Sequence, residues 1–231
     1  MFKRVLYDVE TNGLLPENVE PPFCMDRVHC LGLKCLDTGK KRGFVNDELL
    51  PLSAEDVAAL EELGHPNIEP LSVGIKVLED ADYITGHNII DFDENAVAIQ
   101  KPDYRHDATI SDTLVMARMV FADVKESDFR MLARGKLEGR LIGLQGLEAW
   151  GQRLGLHKGD YKKEREAELK QVHKDAQLPP PTIEELHHYV WGTWNVAMHD
   201  YMMLDVDVNH MLWEKIQEFE WSEEATQMEH E

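Results

Sequence analysis

Short apolar runs over 2–9, 29–36 and 41–45, the last two separated by the turn formers Asp37-Thr38-Gly39, predict three strands arranged as a meander. Helical patterns follow at 51–64 and 71–79, the second feeding a strand at 82–86. A further helix is expected to open at 92–99, and a further strand at 109–115. Beyond that point strands cease. Apolar residues at helical spacing mark 144–154, a highly charged helix covers 161–176, and Pro179-Pro180-Pro181 stops it. The stretch 182–219 reads as one or two long helices, with Thr182 as the cap and Glu185 three residues on. Strands alternating with helices, then helices alone, predict a single α/β domain over 1–231. Its sheet is expected to be central, mixed and five-stranded, flanked by helices, with a helical C-terminal half. Residues 1–216 should form the core and 217–231 an acidic, frayed tail.

Composition narrows the setting. An apolar fraction of 43% over 231 residues is ordinary for a chain that buries a real core. No apolar run approaches the roughly 20 residues needed to cross a bilayer, so no membrane partner is expected. The N-terminal Met1-Phe2-Lys3-Arg4 leads straight into a strand. Cys24, Cys30 and Cys35 are odd in number and lack CxxC spacing, which points to reduced core thiols in a cytoplasmic protein rather than a zinc site. The net charge of −20 argues against nucleic acid as a partner, because phosphate binding draws on clustered Lys and Arg. That charge is unevenly spread. Residues 130–165 carry nine basic against four acidic side chains, a basic island suited to a phosphate track or, equally, to a solvated helical surface.

The candidate chemistry begins in the first strand. Side chains alternate between faces, so Leu6, Asp8 and Glu10 share one side and Val5, Tyr7 and Val9 the other. Two ionised carboxylates converging at a strand end repel each other and resist burial unless a cation or a proton neutralises them. Magnesium or manganese, which favour oxygen ligands, are the natural neutralisers; a solvated strand end is the alternative. The stretch "ITGHNIIDFDEN" places Asp93 just past a strand end, near Asp8 in a parallel neighbour. In "HDYMMLDVDV", Tyr201 and Asp205 lie four apart on one helical face, while Asp200 and Asp207 point elsewhere. His87, His187, His188 and His210 read as packing or surface residues, and Trp150, Trp191 and Trp194 as core rather than base-stacking platforms.

DxE, then Phe92-Asp93 after His87-Asn88, then Tyr-xxx-Asp is an order that resembles the DnaQ-like three-prime-to-five-prime exonucleases, in the variant whose third motif carries tyrosine. The chain is most similar to the proofreading domain of family-A DNA polymerases from podophages related to the T-odd coliphages. "SDTLVMAR", "LARGKLEG", "LEAWGQRLGLHKGDYK" and "YMMLDVDV" carry that likeness over about 2–216. The resemblance implies a ribonuclease-H-like fold and hydrolysis of phosphodiester bonds from the 3′ end of DNA, single-stranded or frayed, with two divalent cations, Mg²⁺ or Mn²⁺. It implies Asp8, Glu10, Asp93 and Asp205 as metal ligands: Asp8 bridging both ions, Glu10 and Asp205 completing the first site, Asp93 serving the second through water. Tyr201 would orient the attacking water, and Thr11, Leu14 and Asn88 would contact the terminal nucleotide, Leu14 as a wedge against its base. Arg134, Lys136, Arg140, Arg153 and Lys158 of the basic island are then expected to contact the strand's backbone. A polymerase, as separate chain or further domain, is the implied partner, and the host cytoplasm the implied location. Asp91 departs from the relatives by adding negative charge where they often carry a basic or polar residue. Two rival readings stand beside this one: an exoribonuclease of the same superfamily, and a non-catalytic domain that docks a polymerase.

Overall fold

The computed structural model describes residues 2–17, 19–156 and 159–222. Alternation along β1 (Arg4–Thr11) decides what stacks on each face of the sheet. Val5, Tyr7 and Val9 enter one cluster with Ile75 and Leu78 of α2 (Leu71–Glu79) and Ala96 and Val97 of α3 (Asp93–Gln100). The opposite face is covered by α9 (Val196–Gln217), which packs on both β1 and β2 (Val28–Cys35). Close approach there rests on Gly32, paired with Asp8 in the β1–β2 register. A Cβ on Gly32 would lie 3.0 Å from Val206 Cγ2 and 3.1 Å from Met202 Cε. Asp8 and Glu10 therefore look toward α9, and at about 1.5 Å per residue its 22 residues run some 33 Å across the sheet.

β1, β2 and β3 (Lys41–Val45) form the expected antiparallel meander. β5 (Tyr83–Gly86) pairs parallel with β1, and β6 (Thr109–Asp112) parallel with β5. A sixth strand, β4 (Ile68–Pro70), lies parallel to β3, so the order is β4-β3-β2-β1-β5-β6 rather than the five strands expected. It escapes sequence reading because it is three residues long and ends in Pro70, which opens α2. The expected strand at 109–115 also needs correction. It stops at Asp112, whose carboxylate accepts from the Leu114 N–H at 2.8 Å and caps α4 (Thr113–Val120).

Helices α1 (Ala54–Glu62), α6 (Leu147–Leu154) and α7 (Tyr161–Asp175) fall within the expected segments, whereas α5 (Val124–Ala133) was not foreseen. The 182–219 stretch divides into α8 (Ile183–Trp191) and α9. Thr182 and Glu185 form the capping box of the first, and the Asn195 side chain caps the second by accepting from Met198 N–H. The mixed sheet, flanking helices and helical second half match the expected α/β class. Cys24, Cys30 and Cys35 are free thiols, the last two buried. Among the described residues no helix is long and apolar enough to cross a membrane.

Candidate active site

The C-terminal end of β1, where the register to β2 shifts between Glu10 and Thr11, faces the middle of α9. Asp8, Glu10 and Asp205 each place a carboxylate oxygen so that all three lie within 4.8 Å of one another. Asp205 is buried and the other two half-buried. Three carboxylates at that spacing form an all-oxygen donor set, the kind that suits Mg²⁺ or Mn²⁺. Residues nearly two hundred apart in the chain thus fit a divalent cation.

Asp93 comes in from the other side of β1. It is the first residue of α3, is buried, and accepts the Val9 backbone N–H at 3.0 Å. Burial pushes its carboxyl well above the ordinary range, and the negative charge of Asp8 adds to that, against the Val9 hydrogen bond. Tyr201 lies one turn before Asp205. Burial, then the charges of Asp205, Glu10 and Asp8, raise its phenol far above the ordinary value, and it hydrogen-bonds the Asp205 side chain. Those influences disfavour ionisation, so the group presents a hydroxyl to Asp205. Behind it the Tyr161 ring lies 5.6 Å from the Tyr201 ring, its hydroxyl donating to Val190 O and accepting from Asn195 Nδ2.

Beside the acids opens a cleft of about 340 Å³, lined by Glu10, Thr11, Leu14, Phe23, His187 and Trp191 among others. Leu14 is 50% exposed at this cleft, and Thr11 is buried with its hydroxyl donating to Gly13 O at 2.6 Å. Asn88 adopts φ 63° in the loop before α3, and its backbone N–H donates to Asp112 Oδ1 at 3.0 Å. Sequence reading missed the cleft's other contributors. Phe23, Phe92, Lys162, His187 and Trp191 meet only through the fold, and Lys162 brings a cation to the cleft that Glu10 also lines. Trp191 does pack into the core as expected, against the cluster containing Cys30 and Tyr161, yet it also borders the cleft.

Two of the basic island's cations are engaged elsewhere. Arg153 is 5% exposed and forks onto the fully buried Asp128, Nε to Oδ1 at 2.9 Å and Nη2 to Oδ2 at 2.8 Å, with its guanidinium 4.8 Å from the Trp150 ring centre. The expectation that Arg153 contacts a nucleic-acid backbone is therefore corrected: its charge is consumed by a buried partner. Arg140 is likewise engaged, with Glu138 at 2.9 Å and in a bidentate pair with Glu148. Arg134 and Lys136 are exposed at the end of α5, while Lys158 lies outside the described residues. Asp200 and Asp207 point away from the acids as expected, toward His65 and toward Lys34 and Lys41.

A mixed sheet with its central strand ending in acids, covered by a long helix that supplies another, defines a ribonuclease-H-like α/β domain with a candidate cation site. No family model matches the chain. Over 105 residues, 46% of its length, the chain is 36% identical to the DNA-directed DNA polymerase of Escherichia phage T7, and equally to that of Enterobacteria phage T3. The matched segment spans only 14% of either polymerase.

Proposed function

We propose that the chain is a divalent-cation-dependent 3′–5′ exonuclease that hydrolyses DNA from its 3′ end, the proofreading component of a phage replicative polymerase. The observation that carries this reading is the convergence of Asp8, Glu10 and Asp205, with Tyr201 hydrogen-bonded to Asp205, beside a cleft that Glu10 itself lines. Similarity to phage DNA polymerases supports the replicative context. Asp8, Glu10 and Asp205 would hold one cation, and Asp8 with Asp93 a second. When bound, such cations offset the carboxylates' repulsion, stabilise charge on a phosphoryl group and lower the pKa of a coordinated water.

The chain's own residues supply the rest. The protonated Tyr201 hydroxyl orients a water against Asp205, while Leu14 and Phe23 flank the base and hold the strand end so that it cannot slide past. Lys162 offsets the acids' repulsion of an incoming phosphate. The test uses 5′-labelled single-stranded DNA, a mismatched duplex and RNA, each with Mg²⁺ or with chelator. A ladder shortening from the 3′ end of single-stranded DNA, lost with chelator and in Asp8→Ala, is expected. Cleavage surviving in Asp8→Ala refutes the site, a ladder on RNA alone moves the substrate to RNA, and binding without cleavage points to a docking domain.

A further inference from the structure

Two consecutive acids open α3, and they reach β1 on either side of Asp8. Asp93 accepts from the backbone of Val9, one residue beyond Asp8. Glu94 turns the other way. Its Oε1 accepts from the hydroxyl of Tyr7, one residue before Asp8, at 2.7 Å and from the Tyr104 hydroxyl at 3.4 Å. Its Oε2 lies 3.0 Å from His106 Nε2. The tautomer of that histidine follows from its other nitrogen, since Nδ1 accepts the Ala108 N–H at 3.2 Å and Nε2 must therefore carry the proton donated to Glu94. Glu94 is 14% exposed on its side chain, and Tyr7 is wholly buried.

We infer that Glu94 is a positioning residue. Through Tyr7 on one side and its neighbour Asp93 on the other, it clamps β1 around Asp8 and so fixes the spacing between the Asp8 and Asp93 carboxylates. The α3 helix spans only eight residues, and its N-cap, Phe92, offers no side-chain hydrogen bond. Its first turn, where Asp93 sits, is tied to the preceding loop by Glu94 N–H to Ile89 O and Asn95 Nδ2 to Ile90 O, each at 3.0 Å, and to the sheet by Asp93 and Glu94. Packing of Ala96 and Val97 holds the helix on the sheet, but apolar contact is non-directional and tolerates a small slide or roll. The Glu94 hydrogen bonds are directional and tie the same turn to Tyr7 in β1, and to Tyr104 and His106 in the segment after α3. Cation ligands respond to sub-ångström displacement, and removing an outer partner typically costs about 10–100-fold in metal affinity.

The inference rests on the exonuclease reading, because it presumes a second cation beside Asp93. It is tested on the full chain with MnCl₂ by calorimetry, without substrate, followed by cleavage kinetics at saturating Mn²⁺. Glu94→Gln keeps the side chain's shape but has one acceptor oxygen where Glu94 has two, so either Tyr7 or His106 loses its acceptor. The native chain should bind two Mn²⁺ ions, and Glu94→Gln should weaken the second by about 10–100-fold while leaving the first within about twofold. In cleavage, kcat should fall at unchanged KM for DNA. Tyr7→Phe, which retains the buried ring and removes one donor, should weaken the second ion several-fold and serves where Glu94→Gln does not fold. A folded Glu94→Gln or Tyr7→Phe that binds both ions as the native chain does overturns the clamp and leaves the exonuclease reading intact. A native chain that binds no Mn²⁺ overturns both.

Discussion

Replacing Arg153 with methionine separates a structural role from a DNA-binding one. The substitution keeps an apolar stem against Trp150 and leaves the fully buried Asp128 with one remaining donor, the Gly143 N–H at 2.8 Å. Breaking a buried pair by removing one partner costs about 3–5 kcal/mol, because a desolvated charge is left uncompensated. For a chain of this size that is a fall in Tm of about 6–20 °C. The pH dependence is distinctive. In the native chain burial tends to raise the Asp128 carboxyl, but hydrogen bonds from Arg153 and Gly143 outweigh it, and the group sits below the ordinary carboxylate range. A depressed folded pKa contributes stability that is present above the unfolded value and lost as pH falls through the folded one. Without Arg153 the largest of the influences that lower it is removed, and that depression is lost. The variant's deficit should then be full at pH 7 and shrink as pH drops through the carboxylate range. Urea denaturation at pH 7 and about pH 4.5, with DNA cleavage measured at a temperature where the variant is folded, checks both parts. A deficit below about 1 kcal/mol, the size of an exposed pair, or a raised KM for DNA in the folded variant, refutes the buried-pair assignment.

Two further outcomes follow from the site. Tyr201→Phe should lower kcat by about 10²-fold at unchanged fold, and the shape of its pH–rate profile should match the native one, since the phenol does not titrate in that range. A changed profile contradicts the hydrogen-bonding role. Gly13→Ala would put a Cβ 2.4 Å from Phe23 O, a backbone atom that cannot swing aside. It should pry apart the cleft wall bridged by Leu14 and Cys24, costing about 1–3 kcal/mol and raising KM for DNA; thermal melts and steady-state kinetics read both.

What the sequence revealed and concealed follows from the range of the forces involved. Asp8 and Glu10 were legible because alternation along a strand is local, and Tyr201 with Asp205 because one helical turn is local. The capping box at Thr182 was legible for the same reason. Elements ended by an unrecognised cap were misread. The 109–115 run is apolar enough for a strand, yet the Asp112 side chain starts a helix inside it. For the 182–219 stretch, read as one or two long helices, the break falls at Gly192 to Asn195 and makes it two. Partners far apart in the chain were not legible at all. Nothing in the spacing of Asp128 and Arg153 shows that they share a buried site, so Arg153 read as a free cation. The assembly of Phe23, Lys162, His187 and Trp191 around one cleft is a product of tertiary packing alone.

The central claim is that carboxylates from β1 and α9 jointly hold a divalent cation. Anomalous diffraction from crystals soaked in MnCl₂ tests it without reference to any substrate. The account predicts a manganese peak within coordinating range of oxygens from Asp8, Glu10 and Asp205, absent in Asp8→Ala. Manganese bound elsewhere only, or none at millimolar MnCl₂ with these three carboxylates ordered, contradicts it.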